Sequence, residues 1–111
     1  MGKVVGFELN SQESEKASVF YSNVFGWEVS EPRWGYRSVH TGGIPGGIAQ
    51  GPHDYPHGVR IQIEVSSIDE TVSKAVANGA LVVRDKMEFD EFFLAYLVDP
   101  TGLGIGLIQR K

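Results

Sequence analysis

With 111 residues, 41% of them hydrophobic and 22% charged, the chain has the composition of one globular domain and no room for a second independent core. Its net charge of −4 argues against nucleic acid, which needs a basic face, and no apolar run nears the roughly 20 residues that cross a bilayer. The absence of cysteine excludes disulfides and thiolate chemistry. Residues Met1–Asn10 hold a lysine and a glutamate but no long apolar core, so no secretory signal is expected there and a cytoplasmic location is.

Residues Val4–Asn10 alternate, with Val5, Phe7 and Leu9 on one side and Gly6, Glu8 and Asn10 on the other, which predicts a strand. Ser11–Ser14 offers N-cap side chains for a helix whose apolar stripe is Ala17, Phe20, Tyr21 and Val24. Gly26 supplies the left-handed stop. Short strands are expected at Trp27–Glu31, Tyr36–Thr41 and Gly47–Gln50, among six glycines from Gly35 to Gly51 that imply tight turns and close backbone approach. The aperiodic stretch Gly51–Gly58, with two prolines, reads as a linker.

The plan then repeats. Ile61, Ile63 and Val65 alternate with Arg60, Gln62 and Glu64. Ser67 and Glu70 have capping-box spacing ahead of a helix with the stripe Ile68, Val72, Ala75 and Val76, closed by Asn78-Gly79. Strands are expected at Leu81–Arg84 (or on to Lys86), Phe92–Val98 and Leu103–Gln109, the last two joined by the turn Asp99-Pro100-Thr101-Gly102. The two helix-ending glycines, 26 and 79, lie half a chain apart. The expected fold is therefore α+β, two βαβββ modules forming a cupped mixed sheet: module one at 1–51, linker at 52–58, module two at 59–111. With a helix on one side only, the polar sides of the leading strands, bearing Glu8, Arg60, Gln62 and Glu64, should line the hollow.

This plan resembles the vicinal-oxygen-chelate superfamily, which includes glyoxalases, bleomycin-resistance proteins and dioxygenases, and within it the glyoxalase-related subgroup. The residues that carry the resemblance are FYSNVFGWEV (Phe20–Val29), GGI (Gly46–Ile48), NGA (Asn78–Ala80) and DPTGLGIGLIQ (Asp99–Gln109). It implies a divalent metal bound by one His, Glu or Gln side chain from each of four strands. Carried over position by position, those sites fall on Gly6, on Gly47–Gln50 (where only Gln50 has a ligating side chain), on Arg60 and on Gly106. One candidate ligand and a repelling cation do not make a metal site, so no metal and no cofactor are expected. The resemblance also implies a homodimer.

Each candidate has a plainer reading. Glu8, Arg60, Gln62 and Glu64 either hold a ligand, Arg60 taking an anionic group and a carboxylate acting as base or orienting a donor, or form the wet side of a half-exposed sheet. His40, Gln50 and Tyr96 complete the candidate ligand face, although His40 better fits a hydrogen-bonded structural histidine. His53 and His57 share i, i+4 spacing, but Pro52 and Pro56 argue against a helix there, which leaves loop decoration. Trp34, Tyr36, Phe92, Phe93 and Tyr96 form either an aromatic wall or ordinary sheet packing, and the aromatics around Phe89–Phe93 also suit a subunit interface. The expected function is a metal-free pocket for a small, acidic ligand, serving binding or acid–base chemistry, with no membrane or nucleic-acid partner. The rivals are a metal-dependent lyase, isomerase or dioxygenase of the same superfamily, and an interaction module with no enclosed polar cavity.

Overall fold

The structure, a computed structural model, describes residues 2–51 and 57–111. Of the expected linker at 52–58, residues 52–56 lie outside the described residues, and His53 with them. The element order is β1 (Lys3–Asn10), α1 (Ser14–Phe25), β2 (Glu28–Val29), β3 (Tyr36–His40), β4 (Gly46–Ala49), β5 (Gly58–Glu64), α2 (Ile68–Ala77), β6 (Leu81–Glu88), β7 (Phe92–Val98) and β8 (Gly104–Arg110). The doubled strand–helix–three-strand order expected from the sequence is present. The chain divides into two compact units, one within 6–59 and one within 60–111, with residues 2–5 joining the latter. Among the described residues no helix is long and apolar enough to cross a membrane.

In the unit at 6–59 the strands lie in the order β2-β3-β4-β1, with β1 and β4 parallel and the other pairs antiparallel. Val39 and Ile48 are its fully buried side chains. The β2–β3 connection ends in a two-residue turn, Trp34-Gly35, with positive φ at both positions and paired hydrogen bonds between Arg33 and Tyr36. Helix α1 ends at Gly26 with φ 71°, as its glycine requires. Its start has no side-chain cap: Glu13 occupies the N-cap, and the Ser11 hydroxyl accepts from the Glu13 amide instead.

The apolar stripe expected on α1 is not what the helix buries. Ser14 and Ser18 face inward, Ala17 and Tyr21 are half-buried, and Phe20 and Val24 are more than half exposed. Both serines are satisfied there: the Ser14 hydroxyl donates to Gln50 Oε1 at 2.9 Å and the Ser18 hydroxyl to the Ser14 carbonyl at 2.7 Å. Tyr21 joins a run of touching rings through Trp27 (5.0 Å between centroids, stacked) to Phe7 (5.8 Å from Trp27).

In the unit at 60–111 the order is β5-β8-β7-β6, with β5 and β8 parallel and β7 antiparallel to both its neighbours. Its core is Val65, Ile68, Ala95, Leu97 and Leu107, with Ile63, Val72, Ala75 and Ile105 packed around them. Burying these side chains is the main stabilising term, worth about 1.5–3 kcal/mol for each large one. Ser67 caps α2 by accepting the Glu70 amide at 3.1 Å, as its spacing predicts. Val76 departs from expectation and is exposed, because α2 meets the sheet along the Ile68–Val72–Ala75 line only. Asp99 closes the β7–β8 turn through its backbone carbonyl, which accepts from the Gly102 amide at 3.0 Å.

Candidate functional site

Strand alternation places the polar row of the unit at 60–111. Ile63 and Val65, Ala95 and Leu97, and Ile105 and Leu107 pack beneath α2, so Arg60, Gln62 and Glu64, Tyr96, and Gly104 and Gly106 stand on the opposite side. The strand register then sets Gln62 beside Gly106, Gly106 beside Tyr96, and Tyr96 beside Arg84. A single line across four strands thus reads glutamine, glycine, tyrosine, arginine.

The glycines in β8 are what let this line close up. A Cβ at Gly106 would come within 2.9 Å of Gln62 Oε1 and 3.0 Å of its Cδ, so the Gln62 amide lies over the space a side chain would fill. Arg60 is 5% exposed, and its guanidinium carbon sits 4.5 Å from the centre of the Tyr96 ring. That cation–π contact helps hold the guanidinium over the ring, with a value of about 0.5–2 kcal/mol depending on desolvation. Glu64 turns to the edge, where its carboxylate accepts from Arg110 Nε at 3.4 Å. Arg84, which the sequence did not single out, donates from one terminal nitrogen to the Val83 carbonyl at 2.8 Å.

In the unit at 6–59 the side chains that alternate away from Phe7, Leu9, Val39 and Ile48 are Glu8, Asn10, Tyr36, Ser38 and His40. Glu8 and Asn10 are both buried, and Asn10 Oδ1 accepts from the Gly51 amide at 3.1 Å. The Tyr36 ring lies across Gly47, and His40 is exposed at its strand end. Gln50 is turned the other way, to Ser14 of α1.

The expected aromatic wall is dispersed. Trp34 is 99% exposed at its turn, and Phe92 stacks on Phe89 at 5.2 Å. Phe93 faces the α2 side, with the Lys86 and Lys111 ammonium groups each 5.1 Å from its ring centre. Only Tyr96 belongs to the Arg60 row. His57 is exposed.

A recess of about 430 Å³ also exists in this unit, on the α2 side rather than the Arg60 side. Ile63, Val65, Ile105 and Leu107 form its floor, with Glu70, Thr71 and Lys74 of α2 at its rim. Ser66 and Ser67 also line it, so the recess is part apolar and part polar.

The residues do not fit the divalent ion that the fold family implies. In the unit at 60–111 the two carried-over positions hold a guanidinium laid on a tyrosine ring and a glycine whose side-chain space is filled by Gln62. In the unit at 6–59 they hold Gly6 and a Gln50 committed to Ser14. Among the described residues no three His, Asp or Glu side chains gather as ligands.

Two βαβββ repeats with one helix each define the glyoxalase/bleomycin-resistance class of α+β proteins. The chain belongs to the glyoxalase-like domain family, whose pattern matches residues 6–108, and through it to the vicinal-oxygen-chelate superfamily. A glyoxylase-like domain-containing protein of Didymella fabae is 27% identical over 94 residues, covering 76% of this chain and 73% of its own. Among solved structures, a glyoxalase/bleomycin resistance protein/dioxygenase superfamily member from Vibrio splendidus 12B01 aligns over the whole of both chains, with a TM-score of 0.68 at 18% identity. Methylmalonyl-CoA epimerase of Streptomyces coelicolor aligns over 97% of this chain and 96% of its own, with a TM-score of 0.61 at 16% identity. At such identities the likeness is one of fold.

Proposed function

We propose that this glyoxalase-like protein binds a small acidic molecule without a divalent ion, through the row that carries Arg60. The observation that supports the reading is the buried Arg60 guanidinium, over the Tyr96 ring, at the position where the superfamily places a metal ligand. A guanidinium carries a permanent positive charge and five N–H donors in one plane, enough to meet a ligand carboxylate as well as partners within the fold. Gln62, lying over Gly106, adds an amide that both donates and accepts beside it. The cation replaces the ion as the anchor for negative charge, and no carboxylate base is required for binding itself.

The test is a thermal-shift screen of mono- and dicarboxylates and phosphates on wild type, Arg60→Lys and Arg60→Ala. An acid that raises the wild-type melting temperature should bind Arg60→Ala at least tenfold more weakly, a loss of a few kcal/mol if the pair is desolvated. Arg60→Lys should recover only part of it, because an ammonium keeps the charge and loses the fork. Equal affinity in all three proteins would overturn the proposal. So would near-stoichiometric nickel, zinc, iron or manganese in protein purified without chelator, which would support the metal-dependent rival.

A further inference from the structure

The polar row through Gln62 and Tyr96 has an apolar neighbour on the same side of the sheet. One rung further along the strands, register sets Glu64 beside Ile108, Ile108 beside Leu94, and Leu94 beside Met87. Phe93, Ala95, Ile105 and Leu107 belong to the core beneath α2, so Leu94 and Ile108 alternate onto the side that carries Arg60. Met87, directly opposite Leu94, shares that side. All three are half-buried, and none lines the recess under α2. An aliphatic strip thus runs alongside the line from Gln62 to Arg84, two residues away in β5, β7 and β8, which is about 7 Å. A sheet side that met only water would carry polar residues at these positions.

We propose, resting on the reading that Arg60 takes the acid, that the ligand is an amphiphilic monocarboxylate. Its carboxylate meets Arg60, and its aliphatic body lies over Ile108, Leu94 and Met87. The separation of about 7 Å between the two rows calls for a body of several carbons rather than a two-carbon acid.

Charge supports a single acidic group. Arg60 overlies Tyr96 within the polar row, and Arg84 is bent back onto the Val83 carbonyl. At the edge of the strip Arg110 is already matched by the Glu64 carboxylate at 3.4 Å. Lys86 and Lys111 stand on the other side of the sheet, over Phe93. A second carboxylate lying on the strip would therefore lose hydration without gaining an unmatched cation, and Glu64 would repel it.

Isothermal titration calorimetry tests the proposal with straight-chain acids from butanoate to octanoate, all below micellar concentrations, and with suberate, the dicarboxylate as long as octanoate. A fully buried methylene is worth about fourfold in affinity and one on a half-open strip about twofold, so octanoate should bind at least about tenfold more tightly than butanoate. Suberate should fall at least about tenfold below octanoate. Met87→Gln, of similar size but polar, should weaken octanoate several-fold and leave butanoate unchanged, and Leu94→Thr gives the same readout from a second strand. Lys74→Ala, at the rim of the α2 recess, should change nothing. Acids that need Arg60 but bind equally at every length would overturn this proposal and leave the Arg60 reading standing. So would suberate binding as well as octanoate, or a length dependence that survives both strip variants. A length dependence kept at full affinity in Arg60→Ala, weakening by Lys74→Ala, or no binding of any acid would overturn both.

Discussion

Three glycines in strands, each with another side chain laid across it, should respond to alanine in a fixed order, and that order reports how tightly each overlying group is held. At Gly46 a new Cβ would meet three carbons of the Phe7 ring, one of them at 2.6 Å. Carbon atoms rest at about 3.5–4.0 Å and the other two ring carbons lie closer still, so the ring must move by more than about 1 Å. Phe7 cannot move alone, because it leans on Trp27, which stacks on Tyr21. Overpacking costs about 1–3 kcal/mol and a broken aromatic pair about 0.5–1.5, offset by about 0.5–1 from removing glycine's backbone freedom. The net is about 2–3 kcal/mol. At Gly47 the obstacle is Tyr36, 39% exposed and able to lift toward solvent, so the loss should be about 1 kcal/mol. At Gly106 it is the far end of Gln62, met at 2.9 Å and longer and more flexible than either ring, so the loss should be the smallest of the three. Urea unfolding of the three variants measures the differences as shifts in midpoint at constant slope. Gly46→Ala as stable as Gly106→Ala would refute the claim that the Phe7–Trp27–Tyr21 rings form a fixed stack.

Other outcomes follow from the helix starts and the last turn. Ser67→Ala should cost about 1 kcal/mol, because the hydroxyl satisfies the Glu70 amide, while Glu13→Ala at the uncapped start of α1 should cost less than about 0.5. Denaturant titration of the pair distinguishes them. The Leu103 amide and the Thr101 hydroxyl and amide hold the Asp99 carboxyl below its ordinary value; Lys111 does the same for Glu88, chiefly by a direct hydrogen bond. A carboxyl lowered by folding stabilises the native state above its unfolded value near 4, and that contribution fades as pH falls through the lower folded value. Stability measured from pH 5 downward should therefore fall less steeply in Asp99→Asn than in wild type. An unchanged slope would mean the turn hydrogen bonds are not formed in solution.

Short-range pattern made most of the fold legible. The seven residues Phe92–Val98 are an apolar run between turn residues and form β7 at those bounds; Ser67 and Gly26 mark helix ends by chemistry that acts within a few residues. What alternation and helical period do not contain is the position of the neighbour. The period of α1 shows an apolar side at Phe20 and Val24, but the sheet lies under Ser14 and Ser18, because a Gln50 thirty-six residues away accepts from Ser14. The same limit applies to the site. Alternation groups Arg60 with Gln62 and Glu64, yet the line from Gln62 to Arg84 depends on strand register across β8 and β7. Register shifts on either side of Arg84 break the alternation of β6, which hid that residue. Gly106, conspicuous as a missing metal ligand, acquires its role only when Gln62 is seen lying over it.

The turn at Trp34 has an optical consequence. The chain has two indoles, and the structure gives them different surroundings: Trp34 stands in water, while Trp27 is half-buried, stacked on Tyr21 and tilted against Phe7. An aqueous quencher such as iodide should silence the red-shifted emission of Trp34 first. The light that survives then comes from Trp27, a built-in reporter of order within residues 6–59 that needs no added dye.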